Sequence, residues 1–429
     1  MKKNSFIKST IILIIGGFIT KILGMLIKIV TTRYIGTEGI GLYMMITPTF
    51  MILLSIAQLG FPVAISKLVA ENKYNNKNLV FGIIPVSLFI NILVFIFLFY
   101  FKDFISINLL HEKRVSLAIL CIGFVLPFVS ISSILRGYFF GKEKMVPHVL
   151  SNIVEDIVKL IAIIIGIPIF LNQGLVYAVA YLILSSIFSE LASIITLFLF
   201  LPKNFHMTKN DFLPKKKNIK SILNIGIPTT GSRFIGSIGY FFEPIILSYT
   251  LLKCGYSNNF IITEYGILSG YTMPLLLLPS FFTLAISQAL IPVISKSYSN
   301  GNLKYTKSKL KQAIFFSLLI GIPCTILFEL FPDIFLKLIY NTNEGITYLR
   351  VLAPIYLFHY IQSPLTSTLQ AMGKAKKAMN GTLIGMFIRT ISLFVFSSLN
   401  IGMWGLVIAS SLNIIIVTFH QMRVIKKFI

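Results

Sequence analysis

Five basic side chains interrupt the long apolar runs of this 429-residue chain. They are Lys21, Lys28, Lys159, Arg233 and Arg389. Lys21 and Lys28 are seven residues apart, which is two helical turns, so both ammonium groups point to one side of a helix. A lysine at the centre of a bilayer costs about 2.5–3.5 kcal/mol, and such residues usually line a site or pathway. Because lysine and arginine bind phosphates and other anions, these residues predict an anion-binding surface inside the membrane.

Two deep carboxylates, Glu190 and Glu243, accompany these cations. Each is interpreted either as a counter-ion for a buried arginine or as a group that binds a proton or a sodium ion. Glu155 precedes Lys159 by four residues, a spacing at which opposite charges on a helix attract each other. We therefore expect these two residues to neutralise each other.

Other reactive residues form no recognisable site. The three cysteines, Cys121, Cys254 and Cys324, are isolated in apolar sequence and predict neither a disulfide framework nor a metal centre. The five histidines lack metal-ligand spacing, and the chain has no P-loop motif. These observations predict a protein that is not an enzyme, holds no cofactor or metal, and is not driven by its own ATP hydrolysis.

The composition predicts an all-α polytopic membrane protein. Hydrophobic residues make up 56% of the chain and charged residues only 12%, against about 25% charged residues in soluble proteins. Helical spans of about 20 apolar residues are predicted at 6–32, 39–66, 80–101, 115–137, 153–171, 174–200, 222–251, 263–294, 312–331, 347–370, 380–398 and 401–420. The net charge of +24 does not indicate nucleic-acid binding, because the basic residues lie in short connections between these spans.

The basic residues also predict the orientation of the chain. Of the 38 lysines and arginines, 26 lie in the two terminal segments and in every second connection, and seven lie in the alternate connections. Connections rich in lysine and arginine remain in the cytoplasm. Both termini are therefore predicted to be cytoplasmic, in a cell (inner) membrane protein with an even number of spans.

An internal repeat divides the predicted spans into two sets of six. Thr20-Lys21 aligns with Ser232-Arg233 at an offset of 212 residues, and the turn Gly141-Lys142-Glu143-Lys144 resembles Gly373-Lys374-Ala375-Lys376. Because six is an even number, both sets enter the membrane from the same side, as parallel repeats do. The predicted organisation is an amino-terminal lobe at 1–200, a basic cytoplasmic linker at 201–221 and a carboxy-terminal lobe at 222–429.

Small and polar residues share a helix face with two of the cations. Gly17 and Gly24 flank Lys21, and Thr230 and Ser237 flank Arg233 at helical spacing. Such stripes are typical of close helix packing or of the wall of a wet cavity. We expect a central cavity between the repeats, with Lys21, Lys28, Arg233 and Arg389 as the residues that bind substrate.

Several segments resemble the stage V sporulation protein B-like oligosaccharide flippases. They are YIGTEGIGLY (34–43), GFPVAISKLVAEN (60–72), LRGYFFGKEKMVPHVLSNIVED (135–156), YGILSGYTMPLLLLPS (265–280) and ALIPVISKSYSNGNL (289–303). This family is part of the multidrug/oligosaccharidyl-lipid/polysaccharide (MOP) exporter superfamily. The resemblance implies a MATE-like fold in which two six-helix lobes surround a V-shaped cavity. Related lipid II flippases line that cavity with basic residues partly from the first helix, and Lys21, in TKILG, matches such a position.

The resemblance and the charges together predict a flippase that moves a polyprenyl-pyrophosphate-linked oligosaccharide or peptidoglycan precursor to the outer leaflet by alternating access. The expected partners are the lipid-linked anionic saccharide, membrane lipids and cell-wall synthesis enzymes, in cell-wall or spore-cortex synthesis. Coupling to a proton or sodium gradient or to the membrane potential is expected. Two alternatives stay open: a cation-coupled multidrug exporter of the same superfamily, and a non-transporting membrane scaffold for envelope assembly.

Overall fold

The computed structural model describes residues 2–71, 75–202 and 209–429, and in these ranges the chain is helical, without a β-strand. It forms two compact units, residues 1–241 and 242–429. Residues 203–208 of the predicted linker lie outside the described residues.

The first unit is built from the helices of the amino-terminal half. They are α1 (Lys2–Gln58), α2 (Phe61–Glu71), α3 (Asn76–Phe81), α4 (Ile84–Asp103), α5 (Ser116–Gly141), α6 (Met145–Leu171), α7 (Leu175–Leu199) and the beginning of α8 (Lys216–Lys253). Helix α5 is central, because α2, α4 and α7 all pack against it, and α6 packs against both α1 and α7. Gly36, with φ of 65°, introduces a kink that divides α1 into two helical parts.

The second unit contains the end of α8 and eight further helices among its described residues. They are α9 (Asn258–Gly266), α10 (Met273–Leu277), α11 (Ser280–Ser299), α12 (Leu303–Leu330), α13 (Pro332–Tyr340), α14 (Ile346–Ala371), α15 (Ala375–Ser397) and α16 (Trp404–Ile425). A π-helical turn, Ile267–Thr272, joins α9 to α10. Helix α14 is central here, with α11, α12 and α16 packed against it, and α15 packs on α16.

The twelve predicted spans all fall on helices, but several are interrupted. Within the described residues, nine stretches are long and apolar enough to cross a membrane, and the bent pair Lys216–Gly231 and Gly236–Lys253 raises the number to ten. The first stretch, Ile15–Glu71, has 57 residues and the Gly36 kink, so it covers two predicted spans. Helices α6 and α14 lie on two more predicted spans without meeting this criterion, and α6 carries three charged residues in its middle.

Two turns of the internal repeat have the same backbone form. Glu143, between α5 and α6, has φ of 57°, and Gly373, between α14 and α15, has φ of 72°. The two residues are 230 positions apart, whereas aligning the glycines of the two motifs gave 232. At the offset of 230, Lys159 and Arg389 occupy equivalent positions on α6 and α15. The structure therefore strengthens the repeat and corrects its register in this region.

The division between the units differs from the predicted lobe boundary. It falls between Phe241 and Phe242, inside α8, whereas the prediction placed it in the linker 201–221. The reason is that the first turns of α8 join the first unit's core, where Ile222 is buried with Phe61 and Leu197. The division into two six-helix lobes joined by a cytoplasmic linker stays a prediction.

Candidate functional site

Arg233 lies between two adjoining cavities of the first unit. One cavity, of about 560 Å³, is lined by the second part of α1 and by α8, and its polar residues are Thr47, Ser55, Gln58, Arg233, Ser237 and Tyr240. The other has about 630 Å³ and shares Gln58 and Arg233 with the first. Nη1 of Arg233 is 3.5 Å from Oε1 of Gln58. No carboxylate lies within 4.0 Å of Arg233 in the described part of the chain, so its charge remains available to a ligand.

The charged residues that line the second cavity are mainly basic. Lys67 from α2, Arg136 from α5 and Arg233 from α8 all line it, together with the single acid Glu143. Lys67 and Arg233 are exposed, whereas Arg136 is half-buried. The two exposed cations, Lys67 and Arg233, outnumber the single acid, so the cavity favours an anion.

Lys21 is exposed on α1, and the glycines on its face are open. A Cβ atom added at Gly17 or Gly24 would meet no other atom within 4 Å. Neighbouring Gly16 differs, because a Cβ there would overlap the side chain of Val149 on α6. The Lys21 face is thus not used for close packing in the described structure. This geometry argues against the packing interpretation of the glycine stripe, and the cavity-wall interpretation stays a prediction.

An ionic network that the sequence did not predict joins α5, α6 and α7. Arg136 forms an ion pair with Glu155, lies 3.8 Å from a carboxylate oxygen of Glu190, and donates a hydrogen bond of 2.7 Å to Ser193. Glu190 also accepts a hydrogen bond from Ser132. Arg136 lies near the end of the predicted span 115–137, whereas α5 continues to Gly141.

This network also corrects the expected pairing on α6. Glu155 pairs with Arg136 across the helices, and Lys159 donates a hydrogen bond of 3.2 Å to Ser186 on α7. The predicted neutralisation of Lys159 by Glu155 is therefore wrong. Interhelical contacts replace the intrahelical pair because α5 and α7 present polar groups toward α6 at this level.

The second unit contains a separate buried pair, Arg389 and Glu243. The guanidinium of Arg389 on α15 forms an ion pair with the carboxylate of Glu243 on α8, and both residues are less than 10% exposed. The hydroxyl of Tyr265 donates a hydrogen bond of 3.0 Å to the same carboxylate. The contact with Arg389 is the one expected of a counter-ion, and both predicted roles of Glu243 stay predictions. A substrate-binding role for Arg389 stays a prediction.

The structure thus sorts the predicted site residues by their charge partners. Arg389 and Glu243 neutralise each other, and Glu190 faces Arg136 rather than one of the predicted arginines. Arg233 lines both cavities of the first unit, whereas Lys21 and Lys28 line neither of these two. Lys28 is half-buried on α1. Binding roles for Lys21, Lys28 and Arg233 stay predictions.

Comparison with protein families gives two matches. The family described as "Polysaccharide biosynthesis protein" matches residues 6–298, and the family described as "MatE" matches residues 269–395. Stage V sporulation protein B of Bacillus subtilis (strain 168) is 36% identical over 438 residues, which cover 100% of this chain and 85% of that relative. Lipid II flippase MurJ of the same organism is 24% identical over 424 residues, covering 90% of this chain and 76% of the relative.

Among solved structures, the chain is similar to one described as the inward-facing conformation of a multidrug resistance MATE family transporter of the MOP superfamily. The TM-score is 0.74 at 16% identity, and the match covers 95% of each chain. At this identity the likeness concerns the fold. The predicted all-α, MATE-like polytopic fold is therefore confirmed.

Proposed function

The chain belongs to the polysaccharide biosynthesis protein family, and from this premise we propose that it is a flippase for a lipid-linked anionic saccharide. It carries a polyprenyl-pyrophosphate-linked oligosaccharide or peptidoglycan precursor from the cytoplasmic to the outer leaflet by alternating access. The names of two relatives support this proposal, since one is a lipid II flippase and the other a stage V sporulation protein. The membrane-spanning helices place the protein in the lipid bilayer, where a polyprenyl-linked substrate resides.

The observation that carries the proposal is the state of Arg233. The guanidinium lines two cavities, and it contacts the uncharged amide of Gln58. Arg136 and Arg389, by contrast, are neutralised by carboxylates. An unneutralised guanidinium attracts pyrophosphate and repels the cations that a multidrug exporter would carry. Lys21, exposed on an unpacked face of α1, is the second proposed contact.

Further parts of the proposal concern the cell. We place the protein in the cell (inner) membrane with both termini in the cytoplasm, where lipid-linked precursors are made. Cell-wall or spore-cortex synthesis consumes the translocated saccharide, and enzymes of that synthesis are the proposed partners. A proton or sodium gradient, or the membrane potential, supplies the driving force.

The test is a flipping assay in vesicles that contain the purified protein and a defined polyprenyl-pyrophosphate-linked sugar. Arg233→Ala and Lys21→Ala should each reduce the flipping rate by at least tenfold, because a charge-assisted contact to phosphate is lost. Lys21→Arg should keep partial activity, since the charge remains but its geometry changes. Lys307→Ala, which removes an exposed lysine of α12, is the matched control and should flip at the parental rate.

The assay also separates the alternatives. Parental rates in both alanine variants would show that the two cations do not bind the substrate, and would remove the basis for an anionic substrate. Export of a cationic drug without flipping of any lipid-linked sugar would identify a multidrug exporter. If the parental protein transports neither a lipid-linked sugar nor a cationic drug, the scaffold function would be the remaining alternative.

A further inference from the structure

The second unit contains a polar cavity that lies apart from the Arg389–Glu243 pair. It has a volume of about 480 Å³ and is formed by α9, the turn before α14, the first turn of α14 and the first residue of α16. Its polar and aromatic lining residues are Thr263, Glu264, Glu344, Thr347, Tyr348 and Trp404. Neither the comparisons nor the predicted flippase mechanism assigns a role to this cavity.

The backbone around the cavity is held in place. Gly345 lines it with φ of 90°, a conformation that favours glycine. A Cβ atom at Gly345 would lie 2.8 Å from Oγ1 of Thr272 and 3.0 Å from a methyl carbon of Ile267, so the turn packs directly on the π-helical turn. The cavity is therefore formed before any ligand binds, as ligand sites usually are.

The side chains combine an aromatic wall with oriented oxygen atoms. The hydroxyl of Tyr348 donates a hydrogen bond to the carboxylate of Glu264, which fixes the direction of that carboxylate. The Tyr348 ring packs edge-on against Trp404, with ring centroids 5.3 Å apart and an angle of 63° between the planes. Trp404 is only half-buried, so part of the indole faces the cavity.

This combination matches the chemistry of a sugar ring. The C–H face of a pyranose packs on an aromatic ring, and its hydroxyl groups donate to carboxylates in charge-assisted hydrogen bonds. The carboxylates of Glu264 and Glu344 repel a phosphate. The described residues also contain no group of three or more histidine, cysteine, aspartate or glutamate side chains that could hold a metal ion. A saccharide therefore fits the lining better than an anion or a metal ion.

We propose that this cavity binds an uncharged or amino sugar unit. Its walls come from the connection before α14 and from the beginnings of the predicted spans 263–294, 347–370 and 401–420. These ends adjoin connections that are poor in basic residues, which predicts that the cavity lies toward the outer side of the membrane. At that position the cavity would receive the sugar part of the translocated saccharide. This last step rests on the proposed flippase function, whereas sugar binding itself does not.

Trp404 is the single tryptophan of the chain, so its fluorescence reports on this cavity alone. The full chain in detergent is titrated with glucose, galactose, glucosamine, N-acetylglucosamine and chitobiose. At least one sugar should change the emission saturably, and glucose 1-phosphate should not.

Glu264→Gln should weaken that binding about tenfold, the loss expected for one charge-assisted hydrogen bond. Tyr348→Phe, which frees the carboxylate but keeps the ring, should also weaken it. Glu329→Gln, the same change at an exposed site on α12, is the matched control.

Three results would overturn the proposal: no saturable response to any of these sugars, an unchanged affinity in Glu264→Gln, or a response to Mg²⁺ or Ca²⁺ alone. The first result is obtained on the parental protein, so it does not depend on whether a variant folds. Sugar binding without flipping would refute the flippase and retain the cavity site. Flipping without sugar binding would refute only the cavity site.

Discussion

At the scale of single residues, the arginines inside this protein differ in what they face. Arg136 and Arg389 are paired with carboxylates, and Arg233 faces an amide and two cavities. A paired buried charge contributes to a specific arrangement of helices, and removing one partner is costly. An unpaired charge in a cavity attracts a ligand of opposite sign. The sequence placed Arg233 and Arg389 in one class, and only the contacts separate them.

The buried pair of the second unit gives a stability prediction. Glu243→Gln leaves the guanidinium of Arg389 without its carboxylate and should lower the free energy of unfolding by about 3–5 kcal/mol. Thermal denaturation of the purified protein in detergent measures the loss. The double variant Glu243→Gln/Arg389→Met removes both charges and should recover most of it.

The same variant tests the second predicted role of Glu243. If the carboxylate binds a coupling proton or sodium ion, Glu243→Gln should fold with parental stability and lose the dependence of transport on the ion gradient. Parental stability together with unchanged, gradient-dependent transport would rule out both roles for this residue.

At the scale of helices, the sequence predicted which segments are helical better than it predicted where each helix ends. The long apolar runs placed every predicted span on a helix, because a segment in lipid must be apolar and must satisfy its own backbone hydrogen bonds. It did not locate the turn at Leu59 and Gly60, which separates α1 from α2, or the end of α5 beyond Arg136. Both regions contact other helices, since the turn packs against Gly226 of α8 and Arg136 pairs with Glu155 of α6. A pattern within one segment carries no information about such partners.

The contact between that turn and α8 gives the second structural prediction. A Cβ at Gly226 would overlap the backbone carbonyl of Leu59, and a Cβ at Gly60 would lie 2.5 Å from the carbonyl oxygen of Gly226. Gly226→Ala should therefore destabilise the protein by about 1–3 kcal/mol, the usual cost of overpacking. Gly17→Ala, whose added methyl meets open space, is the control. Equal melting temperatures for the two variants would contradict the close approach of these backbones.

At the scale of the whole molecule, the internal repeat has a counterpart in the backbone, whereas the predicted lobe boundary does not coincide with the division into compact units. The offset of 230 residues relates two turns and places Lys159 and Arg389 at equivalent positions. The compact units nevertheless divide inside α8, because the first turns of that helix bury Ile222 in the core of the first unit. Apolar periodicity identifies a buried face but does not specify which neighbour covers it, so the predicted boundary at 201–221 missed this packing.

The last prediction concerns orientation in the membrane, which follows from the 26 basic residues in one set of segments against seven in the other. In a chain whose three natural cysteines are replaced, single cysteines are introduced at the exposed positions Lys216, Asn259 and Lys376. A membrane-impermeant maleimide added to intact cells should label the cysteine at 259 and neither of the others, and all three should react after permeabilisation. Labelling of position 216 in intact cells would overturn the predicted orientation. Labelling of positions 216 and 376 from opposite sides would contradict the predicted spans of the second repeat, because four spans separate these positions and an even number returns the chain to the same side.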